Sequence, residues 1–185
     1  ETVDAGVIGL KTQWVDRRVT LNAAAFVYKY KNQQFLNIDQ DTAAQVLVNL
    51  PESRITGAEL ELTARASDAI TLRAGLGLLD AKIKKGIVSG VDVKANSLSN
   101  APKMTFNGGI DADVWQDNGG SLSAHVDVAY SASQYFEVIN VPRLQQGSYT
   151  LLNAHLDWDS ADGKWTAAVW GKNLADKFYH TSRVD

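Results

Sequence analysis

Two neighbouring stretches of this chain alternate apolar and polar side chains over almost their whole length. Residues 104–114 carry apolar or small side chains at every second position, and residues 122–130 do the same after a polar Asp117-Asn118-Gly119-Gly120 segment. Alternation with a period of two is typical of a β-strand with one apolar and one polar face. The two stretches therefore predict a long β-hairpin.

The two faces also predict the register of this hairpin, because directly opposed residues of an antiparallel pair point to the same side of the sheet. A two-residue Asn118-Gly119 turn would pair Val114 with Ser123 and mismatch the faces. A three-residue loop of Asp117, Asn118 and Gly119 matches them and puts glycine where this loop needs left-handed backbone. The pairs that this loop predicts are Gln116 with Gly120, Val114 with Leu122, Ile110 with Val126 and Phe106 with Tyr130.

The apolar face of the hairpin is long enough to cross a bilayer, since a tilted transmembrane strand needs about 9–11 residues. The mean hydropathy of −0.19 is that of an ordinary soluble protein. A transmembrane barrel has this hydropathy as well, because its lipid-facing residues occupy only alternate positions. No apolar run in the 185 residues approaches the length of a spanning helix, which excludes a helical membrane protein.

Composition excludes several other classes. The chain has no cysteine, which excludes disulfides and thiolate metal sites. The net charge of −3 argues against a nucleic-acid partner. Nothing marks an internal domain boundary, so we expect a single domain over residues 1–185. No signal peptide opens the chain, and we expect a processed product or an excised piece.

Turns of two lengths alternate along the remaining chain. The hairpin and six further strand-like segments make about eight strands, and the six lie at 3–14, 19–35, 44–66, 70–78, 150–158 and from 165 onward. Pro51 predicts an edge, bulge or loop-proximal position within its segment. Short connections at 16–18, 67–68, 117–119 and 160–163 alternate with longer ones near 37–43, 84–100 and 137–147. In an up-and-down meander this alternation puts all short turns at one end, as in transmembrane β-barrels.

Four tryptophans flank the short turns, where an aromatic girdle would meet lipid headgroups. Alternation places Trp14, Trp158 and Trp165 on the apolar face, and it places Trp115 on the polar face. In a soluble barrel a tryptophan at a turn would instead plug the end of the barrel.

The C-terminal segment reads Asn173-Leu174-Ala175-Asp176-Lys177-Phe178-Tyr179. It resembles the Asn-Leu-x-Asp-x-x-Tyr signature near the end of TonB-dependent outer-membrane receptors, where the signature closes a late barrel strand. Asn173, Leu174, Asp176 and Tyr179 match it, and the resemblance implies that they have the same structural role. Three further stretches look like the same family in the same order, namely Gly9-Leu10-Lys11 with residues 24–28, Gly57-Ala58-Glu59-Leu60-Glu61, and Asn100-Ala101-Pro102-Lys103.

The resemblance implies an all-β fold, an antiparallel up-and-down meander of about eight strands within a barrel of about 22 strands. It implies the outer membrane of a Gram-negative bacterium and energy-coupled uptake of a scarce ligand such as a ferric siderophore, cobalamin or a carbohydrate. The implied partners are outer-membrane lipid, the TonB system and a plug domain. Compared with family members, we expect residues 1–185 to be the C-terminal segment of the barrel, without the plug domain and the last strand.

A second hypothesis is a self-contained eight-stranded barrel that binds a small hydrophobic ligand or serves as a surface anchor. The two hypotheses differ in what the apolar faces touch. In a lipid-facing barrel Met104, Phe106, Val126 and Leu156 point outward and the histidines inward. In a soluble ligand-binding barrel the two sides are reversed.

Ten charged or histidine side chains at polar-face positions are candidates for the barrel interior. They are Glu59, Glu61, Arg65, Arg73, Asp111, Asp113, His125, Asp127, His155 and Asp157. Imidazole with carboxylate suits several metals, but no tight spacing such as His-x-x-x-His occurs, and a hydrated interior is the simpler interpretation. We predict no catalytic residue, no cofactor and no metal, and we expect the charges near Glu59 to contact the plug.

Four lysines of the long connection form a separate basic group, and they are Lys82, Lys84, Lys85 and Lys94. Such a group can attract an anionic ligand or lipopolysaccharide phosphates. The simpler interpretation of the same residues is a solvated loop.

Overall fold

The structure, a computed structural model, describes residues 1–38 and 45–183. The described strands, in chain order, are β1 Thr2–Trp14, β2 Val19–Ile38, β3 Gln45–Arg65, β4 Ile70–Lys85, β5 Ile87–Val88, β6 Val91–Asp92, β7 Met104–Asp117, β8 Gly120–Ser131, β9 Gln134–Tyr135, β10 Gln145–Gln146, β11 Tyr149–Ser160 and β12 Thr166–Gly171. A short 3₁₀ helix covers Pro142–Leu144. Among these residues no helix has the length and apolar character needed to cross a membrane.

One antiparallel sheet of eight strands contains most of the chain, in the order β1-β2-β3-β4-β7-β8-β11-β12. Each strand pairs with the next long strand in sequence, which confirms the predicted up-and-down meander. Within the described residues β1 and β12 do not pair with each other, so the sheet is open. The self-contained eight-stranded barrel is therefore wrong. The predicted connection near 37–43 falls largely outside the described residues.

The half of the β7–β8 hairpin that lies away from the turn has the predicted register. Phe106 lies opposite Tyr130, and Ile110 lies opposite Val126. Alternation excludes a slip of one residue here, because such a slip would turn every side chain of the strand to the other face.

Next to the turn the prediction was wrong. Asp117 pairs with Gly120, which makes the connection a two-residue Asn118-Gly119 turn, and the register shifts between Asp113 and Trp115. The predicted pairs Val114–Leu122 and Gln116–Gly120 do not form. The residue between Asp113 and Trp115 is an extra one on β7, as in a β-bulge, and this extra residue compensates for the shorter turn.

The bulge also corrects the predicted position of Trp115. Trp115 lies opposite Leu122, and Leu122 lies opposite Trp158. Opposed residues share a face, so Trp115 belongs to the apolar face and not to the polar one. The turn-flanking tryptophans at positions 115 and 158 thus stand in one cross-strand row.

Gly120 closes this turn in a conformation that favours glycine. Its φ is +136°, and a Cβ at this position would collide with the backbone carbonyl of Asp159 on β11. Left-handed backbone and close approach of another chain segment both favour a residue without a side chain. The turn and the neighbouring strand are therefore in direct contact.

Pro51 lies at an irregular point of β3. On one side the pairs of β3 with β2 pass from Leu50–Gln33 to Glu52–Lys31, and Asn32 between them has a φ of 54°. On the other side the register with β4 shifts between Glu52 and Ser53. Proline cannot donate a ladder hydrogen bond, and this bulge-adjacent position agrees with the prediction.

The β11–β12 turn is held by local hydrogen bonds to one carboxylate. The Ser160 hydroxyl donates to Asp162 at 2.7 Å, and the Lys164 N–H donates to it at 3.1 Å. The pKa of Asp162 lies below its usual value. The hydrogen bond from Ser160 is the largest cause, and the hydrogen bonds from Lys164 come next. Donors aimed at a carboxylate favour its charged form.

Large apolar side chains on one face of the sheet remain exposed. Ile110 is 49% exposed and Val169 is 73% exposed. Other exposed members of this face are Leu10, Leu60, Leu72, Leu78, Met104, Val126, Leu152, Leu156 and Trp158. A contiguous apolar surface of this extent marks a surface that contacts a membrane or another protein.

The buried hydrophobic residues gather at the other end of the strands from the short turns. Seven of them form one cluster, which we call the loop core, of Leu50, Ala81, Ile83, Val88, Val93, Leu98 and Val138. Backbone hydrogen bonds fold the β4–β7 connection back onto β4, from Ala95 to Ile83 at 2.9 Å and from Leu98 to Ala81 at 3.1 Å. The long connections after β4 and β8 therefore meet at one end of the sheet.

Candidate functional site

The register places all ten predicted polar-face residues on one side of the sheet. Asp111 lies opposite His125, and His125 lies opposite His155. Opposed residues and residues two apart on a strand point the same way. The same rule adds to this face Glu59, Glu61, Arg65, Arg73, Asp113, Asp127 and Asp157. With six carboxylates against two arginines among the ten, the face is acidic.

Five of these residues form a continuous series of contacts, which we call the His–Asp network. Arg73 on β4 forms an ion pair with Asp111 on β7, and His125 Nδ1 on β8 lies against the same carboxylate. The rings of His125 and His155 have centroids 4.2 Å apart and are tilted by 31°. His155 Nε2 lies 3.0 Å from Asp157 Oδ2 on β11. The network therefore crosses four strands.

Part of the network has the composition of a metal site. His125, His155 and Asp157 each bring one potential ligand atom to within 4.8 Å of the others. Imidazole and carboxylate are ligands that first-row divalent metals accept. The same atoms also have protein partners, since His125 contacts Asp111 and His155 contacts Asp157. The contacts therefore explain the network without an ion, and the predicted absence of a metal stays a prediction.

Asn153 is a polar-face residue that was not among the ten candidates. Its Nδ2 donates to Asp127 Oδ2 at 2.7 Å, and its Oδ1 accepts from the Asn173 N–H at 2.8 Å. Asn153 thus joins the polar face to the C-terminal turn. The available signal was its position in the alternating pattern of β11, directly opposite Asp127 in the ladder.

The segment that resembles the family signature forms a turn after β12, organised by Asn173. Asn173 has a φ of 52°. Its Oδ1 accepts from the Lys177 N–H at 2.9 Å, and its Nδ2 donates to the Lys177 carbonyl at 3.1 Å. The Asp176 N–H donates to the Asn173 carbonyl at 2.9 Å. The side chain of Asn173, at the start of the turn, therefore binds the backbone of Lys177 at its end.

Two other residues of the signature attach the turn to β11. The Leu174 N–H donates to the Leu152 carbonyl at 2.8 Å. The ring of Tyr179 stacks on Tyr149, with centroids 4.6 Å apart and an angle of 12°. The signature thus holds the chain against the neighbouring strand after the ladder of β12 has ended.

An open sheet with one apolar face, one acidic polar face and long connections at one end is the geometry of a barrel wall. Residues 1–174 match the family model described as TonB dependent receptor-like, beta-barrel. The chain belongs to this family. It forms the barrel portion of a TonB-dependent receptor, in the outer membrane of a Gram-negative bacterium.

Solved structures share the fold. The ferric yersiniabactin uptake receptor FyuA from Yersinia pestis has a TM-score of 0.77 at 22% identity, covering 97% of this chain and 26% of that one. The siderophore receptor PiuA from Acinetobacter baumannii has a TM-score of 0.75 at 25% identity, covering 96% and 25%. The copper transporter OprC has a TM-score of 0.68 at 15% identity, covering 96% and 25%. The chain thus spans about a quarter of the length of these proteins.

These findings confirm the predicted family, fold and location. They bear on the barrel as a whole and do not distinguish one polar side chain from another. The predicted interior position of the ten polar-face residues stays a prediction. The register shows only that they share one face of the sheet.

Proposed function

We propose that this chain is the C-terminal part of the barrel of a receptor that takes up a ferric siderophore by TonB-dependent transport. The observation that carries this proposal is the match of residues 1–174 to the receptor barrel family. The siderophore class is supported by the ligands named for FyuA and PiuA. Cobalamin and carbohydrate ligands are the other classes that an uptake experiment must include.

In this proposal the two faces of the sheet have different roles. Outer-membrane barrels carry an apolar band outside and a polar interior, so the exposed leucines meet lipid and the acidic face meets water and the plug domain. The His–Asp network holds β4, β7, β8 and β11 at fixed spacing through side chains as well as backbone. Glu59 and Arg65, both exposed, are available to the plug.

Ligand contacts belong to the long-connection end. A hollow of about 530 Å³ lies between the connections after β4 and β8, and its lining includes Asn96, Ser97, Tyr135 and Asn140. Asn140 joins the two connections, because its Nδ2 donates to the Ser97 carbonyl at 2.9 Å and its Oδ1 accepts from the Ser97 N–H at 2.8 Å. Amide and hydroxyl groups held in this way suit a polar ligand.

The proposal includes no catalytic role for the chain. The carboxylates and histidines of the polar face lie on a solvated wall, and those of the His–Asp network contact one another. Transport in this scheme requires binding at the loop end and movement of the plug by the TonB system. The wall contributes shape, charge and attachment to the membrane.

Uptake by a deletion strain tests the proposal. Cells that lack the receptor gene are grown under iron limitation and supplied in turn with ⁵⁵Fe-labelled siderophores, labelled cobalamin and labelled oligosaccharides. We expect uptake of one ferric siderophore to fall to background and to return with a plasmid copy of the gene.

Deletion of TonB serves as the matched control and must abolish the same uptake. If cobalamin or an oligosaccharide is the ligand that is lost, the siderophore assignment is wrong. If no uptake changes, the receptor role itself is wrong.

A further inference from the structure

The apolar face changes character at its loop end, where a row of cations crosses three strands. Lys29 lies opposite Arg54, and Arg54 lies opposite Lys82. Alternation puts these side chains on the same face as Ala58 and Leu78, four residues further along β3 and β4. The row therefore stands directly beyond the apolar wall, on its outer side.

A hollow of about 590 Å³ lies at this boundary. Its cationic end is lined by Arg54, Lys84 and Lys103, and its apolar end is lined by Ala58 and Leu78. Asp80 is the only carboxylate among the described residues that line it. Three cations against one carboxylate leave the lining positively charged.

A second hollow, of about 570 Å³, continues from the first along the apolar face. Ala58 and Leu78 line both hollows. The further lining residues are mostly apolar, and on the apolar face they are Ile8, Leu10, Ala23, Ala25, Leu60 and Leu76. The small alanine side chains between larger leucines form a shallow groove that runs away from the cations.

Among the described residues, no carboxylate forms an ion pair with the cations of the first hollow. At the same end of the sheet Lys31 pairs with Asp4 at 3.8 Å and Lys85 pairs with Glu52 at 3.7 Å. In the described part of the chain no ion pair involves Arg54, Lys84 or Lys103. Their charge is therefore available to an external anion.

We propose that the two hollows together form a lipid groove that binds a phosphorylated glycolipid of the outer leaflet. The family topology puts the long connections on the extracellular side, so the cations stand at the depth of the outer headgroups. Arginine and lysine bind phosphate through charge-assisted hydrogen bonds, and basic residues at a membrane surface attract anionic headgroups. The acyl chains lie along the alanine groove, where each buried methylene adds apolar contact. The inference rests on the outer-membrane location and not on the transported ligand.

Lipid titration of the complete receptor tests the groove. The receptor is delipidated in a non-ionic detergent and titrated with diphosphorylated lipid A or with its dephosphorylated form, and the bound lipid is counted by native mass spectrometry. We expect the triple variant Arg54→Gln, Lys84→Gln, Lys103→Gln to bind the diphosphorylated form at least tenfold more weakly, because each surface cation contributes about fivefold. Its affinity for the dephosphorylated form stays the same.

A matched triple variant carries the same change of charge outside the groove, namely Lys11→Gln, Lys94→Gln and Lys172→Gln. These three lysines are exposed and line neither hollow. We expect this control to bind both lipids as the unmodified receptor does. Equal affinities of the two triple variants for the diphosphorylated form would overturn the proposal.

Ala58→Phe tests the apolar part of the groove, because a bulky ring at the junction of the hollows blocks the path of the acyl chain. We expect this variant to bind both forms of the lipid more weakly. Excess inorganic phosphate distinguishes a lipid site from a simple phosphate site. If phosphate alone displaces the lipid completely and Ala58→Phe has no effect, the groove is not a lipid site. Heat-modifiable migration in electrophoresis verifies that every variant has a folded barrel.

Discussion

Asn173 stabilises the C-terminal turn through both its backbone conformation and its side-chain hydrogen bonds. Its φ of 52° lies in the left-handed region, which asparagine tolerates better than most residues with a Cβ. Its side chain satisfies both the N–H and the carbonyl of Lys177. Backbone conformation and hydrogen bonding thus favour the same residue, and this gives the signature a physical reason.

Replacing this residue separates the two effects. We expect Asn173→Ala to lower the free energy of unfolding by about 2–3 kcal/mol, since it removes two hydrogen bonds and puts a Cβ residue at a left-handed φ. Asn173→Gly keeps the φ and should lose only about 1–2 kcal/mol. Urea unfolding of the receptor in detergent micelles measures both values. An alanine variant as stable as the unmodified receptor would contradict this account of the turn.

In the β7–β8 hairpin a bulge in one strand compensates for the short turn. The two-residue turn by itself would mismatch the faces, and the extra residue between Asp113 and Trp115 restores them. A bulge adds one residue to one strand, so the residues beyond it on that strand exchange faces relative to strict alternation. Trp115 is the side chain whose face depends on the bulge.

Site-directed spin labelling tests the bulge at this element. Nitroxides are attached in turn to Trp115→Cys, Trp158→Cys and Trp170→Cys, a scheme helped by the absence of native cysteine from this chain. Trp158 shares the row of Trp115, whereas Trp170 lies opposite His155 on the polar face. We expect the labels at 115 and 158 to be relaxed more by lipid-soluble oxygen than by a water-soluble nickel complex, and the label at 170 to show the reverse. A label at 115 that behaves like the one at 170 would show that the bulge is absent in the membrane.

In the molecule as a whole, the apolar residues are distributed as in a membrane wall. Most buried hydrophobic residues of the described chain lie in the loop core, whereas Leu60, Leu72 and Leu156 of the sheet are exposed. The two edge strands, β1 and β12, also present backbone hydrogen-bonding groups without strand partners in the described sheet. Water solvates the apolar face poorly, and the unpaired edges can pair with another chain.

Residues 1–185 expressed alone should therefore aggregate in aqueous buffer and form β-structure only with detergent or lipid. Exposed apolar surface and unpaired strand edges both favour association. Circular dichroism and sedimentation with and without detergent measure the effect, and the same chain in micelles is its own control. A soluble monomer with cooperative unfolding would show that the apolar face is covered in some other way.

Much of this architecture was predictable because its determinants are local. Period-two alternation identified the strands, and in the β7–β8 hairpin it placed Ile110 and Val126 on the apolar face and Asp111 and His125 on the polar one. The signature that begins at Asn173 indicated the family, since the turn it forms depends on a few consecutive residues. These features need no knowledge of distant segments.

The remaining features required the tertiary structure, because they depend on contacts between residues far apart in sequence. The turn length of the hairpin depended on a bulge that alternation alone does not reveal. His155 meets His125 through side-chain orientation across a strand pair. Arg54 joins Lys29 and Lys82 only through the register of β2, β3 and β4. In the regular parts of β3, β4, β7, β8 and β11 the sequence by itself thus determined which side chains share a face. The bulge decided the face of Trp115, and the cross-strand register and the folded connections decided which side chains meet.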